Sequence, residues 1–386
     1  MEILFLSHCV PNPPDKGEKI RAHFELNELA RKHDVHLACF ARTPEEIEDA
    51  RKLVDRCASV YAAPLFPLSL HLARAAVPFS YGACLNTTFY SSGSLRKDVA
   101  ALLSQRPIRA AFSYSAVAAH SAPAHLPHVL DLVDVDSEKW MQYSQHRWPG
   151  LLYRMEAARI RKLEIEQSQR SRITFLSTRP EEQLFRTFAG GVRTSVLENG
   201  VDFQYFDPDL PGDPLGLDRR HYVLFVGSME YFPNQHAVIE FANRVYPALR
   251  ARDPKLEFLI VGRSPSAGVL ALSREPGVTV VGGVDDVRPY YRWARAVMVP
   301  LSIARGIQNK VLEALAMNKP VLVSEAVSRT FGDKLPVGVK RCLTPEDYCE
   351  YPEAGAARRS AKSRFSWRDN LAGLSEAVDE AARSSR

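Results

Sequence analysis

The sequence predicts an α/β protein made of two doubly wound, Rossmann-like domains. Its 386 residues exceed what a single hydrophobic core usually organises. Short apolar runs alternate with helical patterns in both halves, which is typical of parallel sheets covered by helices. A turn-rich stretch at residues 194–208 separates the halves. Ligands of such sheets bind outside the carboxyl ends of the strands, so we expect a ligand cleft between the two domains.

The first half opens with a strand, loop, helix and strand. Ile3–Leu6 is a buried-strand pattern, a loop rich in proline follows, and Val35–Phe40 is the next strand. This spacing of about 40 residues predicts a βαβ unit with parallel strands. Further strands are predicted at Ser59–Ala62, Ala110–Ser113, His128–Val133, Ile173–Leu176 and Ser195–Leu197.

The second half repeats this alternation. Strands are predicted at Tyr222–Val226, Leu256–Val261, Val278–Val281, Ala296–Val299 and Pro320–Val323. Helical patterns between and after them cover Asn234–Arg250, Pro265–Ser273, Asp286–Arg292 and Gly306–Met317. We therefore predict domains at residues 1–195 and 196–365, followed by a helix at 366–386 whose apolar stripe needs a surface to cover it.

Composition and charge exclude several classes of protein. Apolar residues make up 46% and charged residues 25%, as in ordinary globular proteins. The net charge of +5 is spread evenly, so no basic face for nucleic acid is expected. The six cysteines form no C-x-x-C pair, which argues against zinc and disulfides and favours a reducing cytoplasm. The first residues enter a strand directly and do not read as a signal peptide.

The longest weakly charged interval is Cys57–Leu95, whose only charged residue is Arg74. Prolines interrupt it, so it does not read as a membrane-spanning helix. The sequence therefore favours a protein that is soluble or lies on a membrane surface. The interval can contact a lipid-linked acceptor or the bilayer interface, or it can pack on its own domain; both interpretations stay open.

The most informative block runs from Ser302 to Val321. Gly306 lets the backbone approach a ligand closely, and a helix beginning near Ile307 offers free N–H groups to a diphosphate. Lys310 in its first turn adds positive charge, and the carboxylate of Glu313 is suited to the two hydroxyls of a ribose. The alternative is that Lys310 and Glu313 form a solvated pair on the helix surface.

Arg305–Glu313 and the Ala-Leu-Ala-Met-x-Lys-Pro-Val run after it resemble glycosyltransferase family 4, which has the GT-B fold. The closer resemblance is to the sugar transferases of exosortase/PEP-CTERM exopolysaccharide clusters. It rests on Gly306–Glu313, Asp131–Trp140 and Val226–Met229 with Pro233 and Asn234, and spans nearly the whole chain.

This resemblance implies a retaining hexosyltransferase that needs neither metal nor cofactor. The donor is a nucleotide-diphosphate sugar, and the acceptor is a polysaccharide or lipid-linked glycan of exopolysaccharide biosynthesis. The resemblance implies a cytoplasmic location, at the inner face of the membrane when the enzyme contacts the bilayer peripherally. The final helix is expected to pack back on the N-terminal domain.

The resemblance also assigns donor contacts in the second domain. Gly227 and Arg263 follow the first two strands of that domain, and Val284 is expected near the nucleotide base. The chain departs from the family at Arg305, where the family has the first of its two glutamates. The guanidinium of Arg305 can neutralise a phosphate instead.

Two polar segments of the first half are candidates for the acceptor. Gly17, Lys19 and Arg21 follow the opening strand, where they can meet an acceptor phosphate; the alternative is an ordinary helix start. Asp134 and Asp136 can orient the acceptor hydroxyl or act as its base, since carboxylates on an apolar strand must face a cleft or be paired. They also spell D-x-D, a mark of a different transferase fold, which we interpret as coincidence.

Two other functions remain open at this stage. A sugar-nucleotide epimerase can share this architecture, and Arg305 in place of a glutamate fits a non-catalytic partner subunit. A dehydrogenase is poorly supported, because no G-x-G-x-x-G follows an opening strand with an acidic residue about 20 positions later.

Overall fold

The computed structural model describes residues 1–383, apart from the side chains at positions 75, 77, 78 and 80. It contains two compact units, each built on its own parallel sheet. The first unit is Met1–Leu197 together with the chain from Leu371 onwards, and the second is Glu198–Asn370. The predicted class, two doubly wound α/β domains, is confirmed.

The sheet of the first unit has seven parallel strands in the order β3-β2-β1-β4-β5-β6-β7. Its central strands are buried along nearly their whole length, which explains why they read as continuous apolar runs. The strands are β1 (Glu2–Ser7), β2 (Asp34–Ala41), β3 (Ser59–Pro64), β4 (Ala110–Tyr114), β5 (His128–Val133), β6 (Ile173–Leu176) and β7 (Thr194–Val196).

Helices connect these strands, and their starts follow local capping chemistry. Thr43 caps α2 by accepting from the Glu46 N–H, and Thr178 caps α9 by accepting from the Glu181 N–H. The helices are α1 (Gly17–Ala30), α2 (Pro44–Arg51), α3 (Leu68–Ser80), α4 (Leu85–Phe89), α5 (Gly93–Gln105), α6 (Ala116–Ala119), α7 (Asp136–His146), α8 (Gly150–Arg170) and α9 (Arg179–Arg186), with a 3₁₀ turn at Lys52–Asp55.

The sheet of the second unit has six parallel strands in the order β10-β9-β8-β11-β12-β13. The sequence missed the edge strand β13, because Lys340 and Arg341 interrupt its apolar pattern. The strands are β8 (Tyr222–Val226), β9 (Glu257–Val261), β10 (Val278–Gly282), β11 (Ala296–Val299), β12 (Val321–Ser324) and β13 (Val339–Cys342).

The helices of the second unit alternate with these strands. A π-helical stretch, Phe241–Val245, joins the first two into one long element. The helices are α10 (Phe232–Glu240), α11 (Tyr246–Arg252), α12 (Ala267–Ala271), α13 (Arg288–Trp293), α14 (Asn309–Ala316), α15 (Glu325–Arg329), α16 (Ala357–Arg364) and α17 (Trp367–Asn370), with 3₁₀ turns at Leu217–Arg219, Leu272–Arg274 and Glu346–Cys349.

The predicted C-terminal helix is divided in the structure. α17 belongs to the second unit, where Trp367 packs so closely on Gly200 that a Cβ there would lie 2.5 Å from the Trp367 nitrogen. After a break at Leu371, α18 (Ala372–Arg383) belongs to the first unit and packs on α1, β4 and β5. The apolar stripe is buried as expected, but its first part packs in the second unit and the rest packs in the first unit. Residues 384–386 of the predicted helix lie outside the described residues.

Within residues 1–383, no helix is both long enough and apolar enough to cross a membrane.

Candidate functional site

The order of strands in the second sheet reverses between β8 and β11, so this is its topological switch point. All its strands are parallel, and the loops that follow them leave from one edge. Gly227 follows β8, Arg263 follows β9, and Val284 follows β10. The loop from Pro300 to Gln308 follows β11. The structure therefore brings the predicted donor residues to the carboxyl edge of one sheet.

Glycines at this edge allow loops to pack against one another. A Cβ at Gly227 would lie 2.7 Å from Asn234 Nδ2 and 2.8 Å from Lys310 Nζ. A Cβ at Gly262 would lie 1.9 Å from the Gly227 carbonyl oxygen. The contact at Gly262 is with backbone, so that position requires glycine. A side chain at Gly227 would instead displace the Asn234 amide and the Lys310 ammonium. The sequence did not assign Asn234 to the site, although it lies in the block that carries the resemblance.

Lys310 is buried at the start of α14. Its ammonium donates a hydrogen bond to Asn234 Oδ1 at 2.6 Å and lies 4.3 Å from the centre of the Phe225 ring. Burial lowers its pKa to about 7, although the nearby carboxylate of Glu313 acts in the opposite direction. The alternative of a solvated surface pair is therefore wrong. A buried ammonium beside a glycine loop is instead a strong candidate for anion binding.

Glu313, one turn further along α14, is held by a buried tyrosine. Its Oε2 accepts a hydrogen bond from the Tyr291 hydroxyl at 2.7 Å. Burial raises the pKa of Glu313, while the bond from Tyr291 and the charge of Lys310 oppose this. Tyr291 fixes the orientation of the carboxylate, and the sequence did not reveal this role because Tyr291 lies on another helix.

The loop before α14 differs from its predicted form. The helix begins at Asn309, because Gln308 is extended, and so Gly306 and Ile307 lie in the loop. Gly306 has a φ of 57°, which glycine adopts without strain. Arg305 also lies in this loop, where its carbonyl accepts a bond from Gln308 Nε2 at 3.1 Å. Arg305 therefore lies before α14, whereas Glu313 lies within it.

The loops after β9 and β10 pack on one another. The Arg263 carbonyl accepts a hydrogen bond from the Met229 N–H at 2.9 Å. A Cβ at Gly283 would lie 2.9 Å from Arg263 Cγ, so Gly283 leaves space for that side chain. Val284 is half-buried against the core. Arg263 and Val284 thus border the loops that surround Gly227.

The switch point of the first sheet, between β1 and β4, is lined by side chains. His8 follows β1 directly, and its ring stacks on Tyr114 with centroids 5.3 Å apart. Its Nδ1 lies 3.3 Å from the Tyr114 carbonyl, and its Nε2 lies 3.6 Å from Glu18 Oε2. Arg42 donates two hydrogen bonds to Glu18 at 2.7 and 3.2 Å. Burial opposes ionisation of Glu18, but His8 and Arg42 hold its pKa well below the usual range.

The sequence did not assign His8 to a site. Its signal was its position, as the first markedly polar side chain after the opening buried strand. It is partly exposed, with 17% of its side chain accessible.

Lys19 and Arg21 have a different role from the predicted one. Both are buried, and Lys19 Nζ lies 2.7 Å from Glu46 Oε1. Arg21 Nε lies 2.6 Å from Asp131 Oδ2 and 3.0 Å from Glu25 Oε1. Because each cation is already paired with a buried carboxylate, neither is placed to meet an acceptor phosphate as predicted. Gly17, the third residue of that prediction, is the first residue of α1.

The predicted aspartates lie beyond the strand. β5 ends at Val133, Asp134 lies in the following loop, and Asp136 begins α7. Asp134 accepts a hydrogen bond from Ser177 Oγ at 2.5 Å, and burial together with nearby Glu181 raises its pKa to about 7. Asp136 is paired with Lys139. No group of three or more His, Cys, Asp or Glu in residues 1–383 is arranged to hold a metal ion.

Comparison with known protein families adds a sequence match to this geometry. Residues 220–351 match the family model described as Glycosyl transferases group 1. This segment contains Gly227, Lys310 and Glu313. Curated protein sequences provide no significant match.

Solved structures resemble the chain along its whole length. Sucrose-phosphate synthase from Thermosynechococcus elongatus has a TM-score of 0.69 at 13% identity, with 99% of both chains covered. HepE from Anabaena in complex with UDP has a TM-score of 0.67 at 16% identity, covering 98% of this chain and 100% of that one. WaaG, a glycosyltransferase involved in lipopolysaccharide biosynthesis, has a TM-score of 0.58 at 16% identity, covering 100% and 98%. At these identities the likeness shows the fold, which is GT-B; with the family match it supports a glycosyltransferase.

Proposed function

We propose that the protein transfers a sugar from a nucleotide-diphosphate sugar to a hydroxyl of a polysaccharide or lipid-linked acceptor, with retention of configuration, in exopolysaccharide biosynthesis. The observation that carries this proposal is the buried Lys310 ammonium beside Gly227 and Asn234, at the switch point of the second sheet. The family match over residues 220–351 supports it.

The donor occupies the carboxyl edge of the second sheet in this proposal. The diphosphate lies against Lys310 and the glycine loops at Gly227 and Gly306, where Ile307 continues the loop. Glu313 accepts hydrogen bonds from the ribose, and Val284 lies beside the base. HepE, a structural neighbour, was solved with UDP and with UDP-glucose, so uridine nucleotides are the first donors to test.

The chemistry needs charge stabilisation at the leaving group. The bond from the sugar to the diphosphate breaks, and the diphosphate keeps the electron pair. The acceptor hydroxyl passes its proton to a base of the first unit, for which His8 and Asp134 are the candidates, and its oxygen bonds to the sugar carbon. Lys310 stabilises the growing negative charge on the diphosphate, and Arg263 and Arg305 supply further positive charge. None of these steps uses a metal ion, so full activity in excess EDTA is expected.

The acceptor binds to the first unit in this proposal. His8 and Asp134 both follow strands of the first sheet at its carboxyl edge, and both can accept a hydrogen bond from a hydroxyl. His8 is the stronger candidate because its ring is partly exposed and is oriented by Tyr114 and Glu18. Asp136 has a supporting role, since Lys139 already pairs with it.

The decisive experiment measures nucleotide binding and turnover separately. Calorimetric titration with UDP and other nucleoside diphosphates identifies the donor nucleotide. The matching nucleotide sugars are then incubated alone and with glycan acceptors, and products are followed by NMR. We expect acceptor-dependent release of nucleotide and a retained anomeric configuration. Conversion of the donor sugar without acceptor would indicate an epimerase, and binding without turnover would indicate a non-catalytic subunit.

A further inference from the structure

Exposed apolar side chains of the first unit are concentrated in two segments. Within the described part of this unit, all of its exposed large apolar side chains except Met1, Val54 and Tyr81 lie in residues 66–74 and 147–155. Trp148 is 92% exposed and Leu151 is 65% exposed. Isolated exposed apolar residues are normal on a soluble surface, but a concentration of this kind marks an interaction site.

The two segments belong to neighbouring helices. α3, which contains most of the first segment, ends beside α8, which contains most of the second. The Arg159 guanidinium of α8 lies 4.2 Å from the centre of the Phe79 ring, and its Nη1 donates to the Ala83 carbonyl at 3.0 Å. The Glu156 carboxylate accepts from the Leu85 N–H at 3.0 Å. These contacts dock the end of α3 and the chain after it onto α8, between one and two turns from Leu152.

The charge of both segments has one sign. The sequence has no aspartate or glutamate between residues 57 and 97, and none between 139 and 155. Arg74, Arg147 and Arg154 are exposed within the two segments. Segments whose apolar side chains alternate with cations and with no acidic residue are complementary to a membrane interface that carries anionic lipids.

We propose that residues 66–74 and 147–155, here called the apolar-basic surface, dock on an anionic lipid bilayer. Trp148 enters the interface with the neighbouring leucines, because an indole ring is favourable at the boundary between headgroups and acyl chains. The arginines contact lipid phosphates, as their guanidinium forks match phosphate oxygens. Binding to the bilayer does not depend on the proposed function. Only the link between this surface and a lipid-linked acceptor rests on it.

The test uses the full-length protein and vesicles, without donor or acceptor. Flotation is measured with vesicles of phosphatidylcholine and with vesicles that also contain phosphatidylglycerol. We expect binding to the anionic vesicles to be at least about tenfold stronger, and to weaken with added salt. Two triple variants remove the apolar contacts: Trp148→Ser with Leu151→Ser and Leu152→Ser, and Leu68→Ser with Leu70→Ser and Leu72→Ser. Each is expected to lower binding about tenfold or more.

A control variant removes three exposed apolar side chains, also one tryptophan and two leucines, from the second unit. Leu270, Trp293 and Leu343 are 52%, 40% and 62% exposed, and their replacement by serine should leave vesicle binding unchanged. UDP titration of every variant separates this proposal from the proposed function, since the proposed nucleotide site lies in the second unit and the substituted helices lie in the first.

Two results would overturn the membrane proposal. The first is equal binding of the native chain to both vesicle types, or no binding to either. The second is vesicle binding by the triple variants that equals that of the native chain. If the triple variants also sediment with a smaller mass than the native chain, this surface is an interface between copies of the chain. Circular dichroism confirms that each variant is folded.

Discussion

The strands of the two sheets follow the same order, but different kinds of groups lie at the two switch points. In the second unit, glycine loops and the buried ammonium of Lys310 lie at the carboxyl edge of the sheet. In the first unit, the corresponding edge carries the ring of His8 and the paired charges of Glu18 and Arg42. A glycine-rich edge with a buried ammonium suits a diphosphate, whereas ring and carboxylate acceptors suit a hydroxyl. We therefore expect the residues that follow the strands, and not the topology, to decide which ligand each unit binds.

The largest effect is expected from Arg21→Ala, which tests whether the buried charges around Arg21 stabilise the fold. Replacing Arg21 by alanine leaves Asp131 and Glu25 buried without their guanidinium partner. We expect the free energy of unfolding to fall by about 3–5 kcal/mol in urea titration. Arg31→Ala is the control on the same helix, because Arg31 is 63% exposed in its pair with Glu28 and should change stability by less than about 1 kcal/mol. Similar losses in both variants would remove the special role of the buried cluster.

His8→Ala tests the acceptor side of the comparison. We expect turnover with a glycan acceptor to fall about a hundredfold, because the hydroxyl loses the group that accepts its proton or hydrogen bond. UDP affinity in calorimetry should not change, since His8 belongs to the first unit. His8→Gln keeps a hydrogen-bonding side chain and should recover part of the activity. Full activity of His8→Ala would leave Asp134 as the acceptor-side candidate.

Lys310→Met tests the donor side. The methionine keeps much of the volume but removes the charge, and a hydrogen bond to a charged group is worth about 1.5–3 kcal/mol. UDP affinity should therefore fall about tenfold to a hundredfold. Lys319, after the end of the same helix, is the matched control, and Lys319→Met should bind UDP normally. Equal affinity of Lys310→Met and the native chain would exclude Lys310 from the donor site.

Glu313→Ala should have a smaller effect, about tenfold on UDP affinity, because it removes hydrogen bonds to an uncharged ribose. Tyr291→Phe leaves the carboxylate in place but removes the bond that orients it, at 2.7 Å in the native chain. We expect its loss to be smaller than that of Glu313→Ala. A larger loss in Tyr291→Phe would mean that the tyrosine itself contacts the nucleotide.

The smallest expected effect is the change in UDP affinity with pH near neutrality. The pKa of Lys310 is lowered to about 7, so its ammonium is present below pH 7 and is lost as the pH rises. Binding of the diphosphate then requires proton uptake, and affinity should fall above pH 7 by at most about tenfold per pH unit. The measurement is calorimetry from pH 6 to 9, compared with Lys310→Met. The same slope in both proteins would assign the dependence to another group.

Much of the fold was readable because each buried strand carries its own local signal. Ala296–Val299 and Tyr222–Val226 have the predicted bounds, since a strand covered on both faces is a continuous apolar run. The edge strand β13 has no such run and was missed. The block from Gly306 to Glu313 also carried a local signal for a phosphate-binding loop, although the helix starts later than predicted.

The sequence by itself thus determined the two doubly wound units and the segment that bears Lys310 and Glu313. Only the tertiary structure decided which polar side chains remain accessible. The sequence predicted that Arg21 faces a ligand, but in the structure it is buried in an ion pair with Asp131, which lies far away in the chain. Likewise, Asn234 and Tyr291 lie on other helices and contact Lys310 and Glu313 only in the folded protein. Apolar periodicity is a property of consecutive residues, whereas charge pairing depends on residues far apart in the chain that only folding brings together.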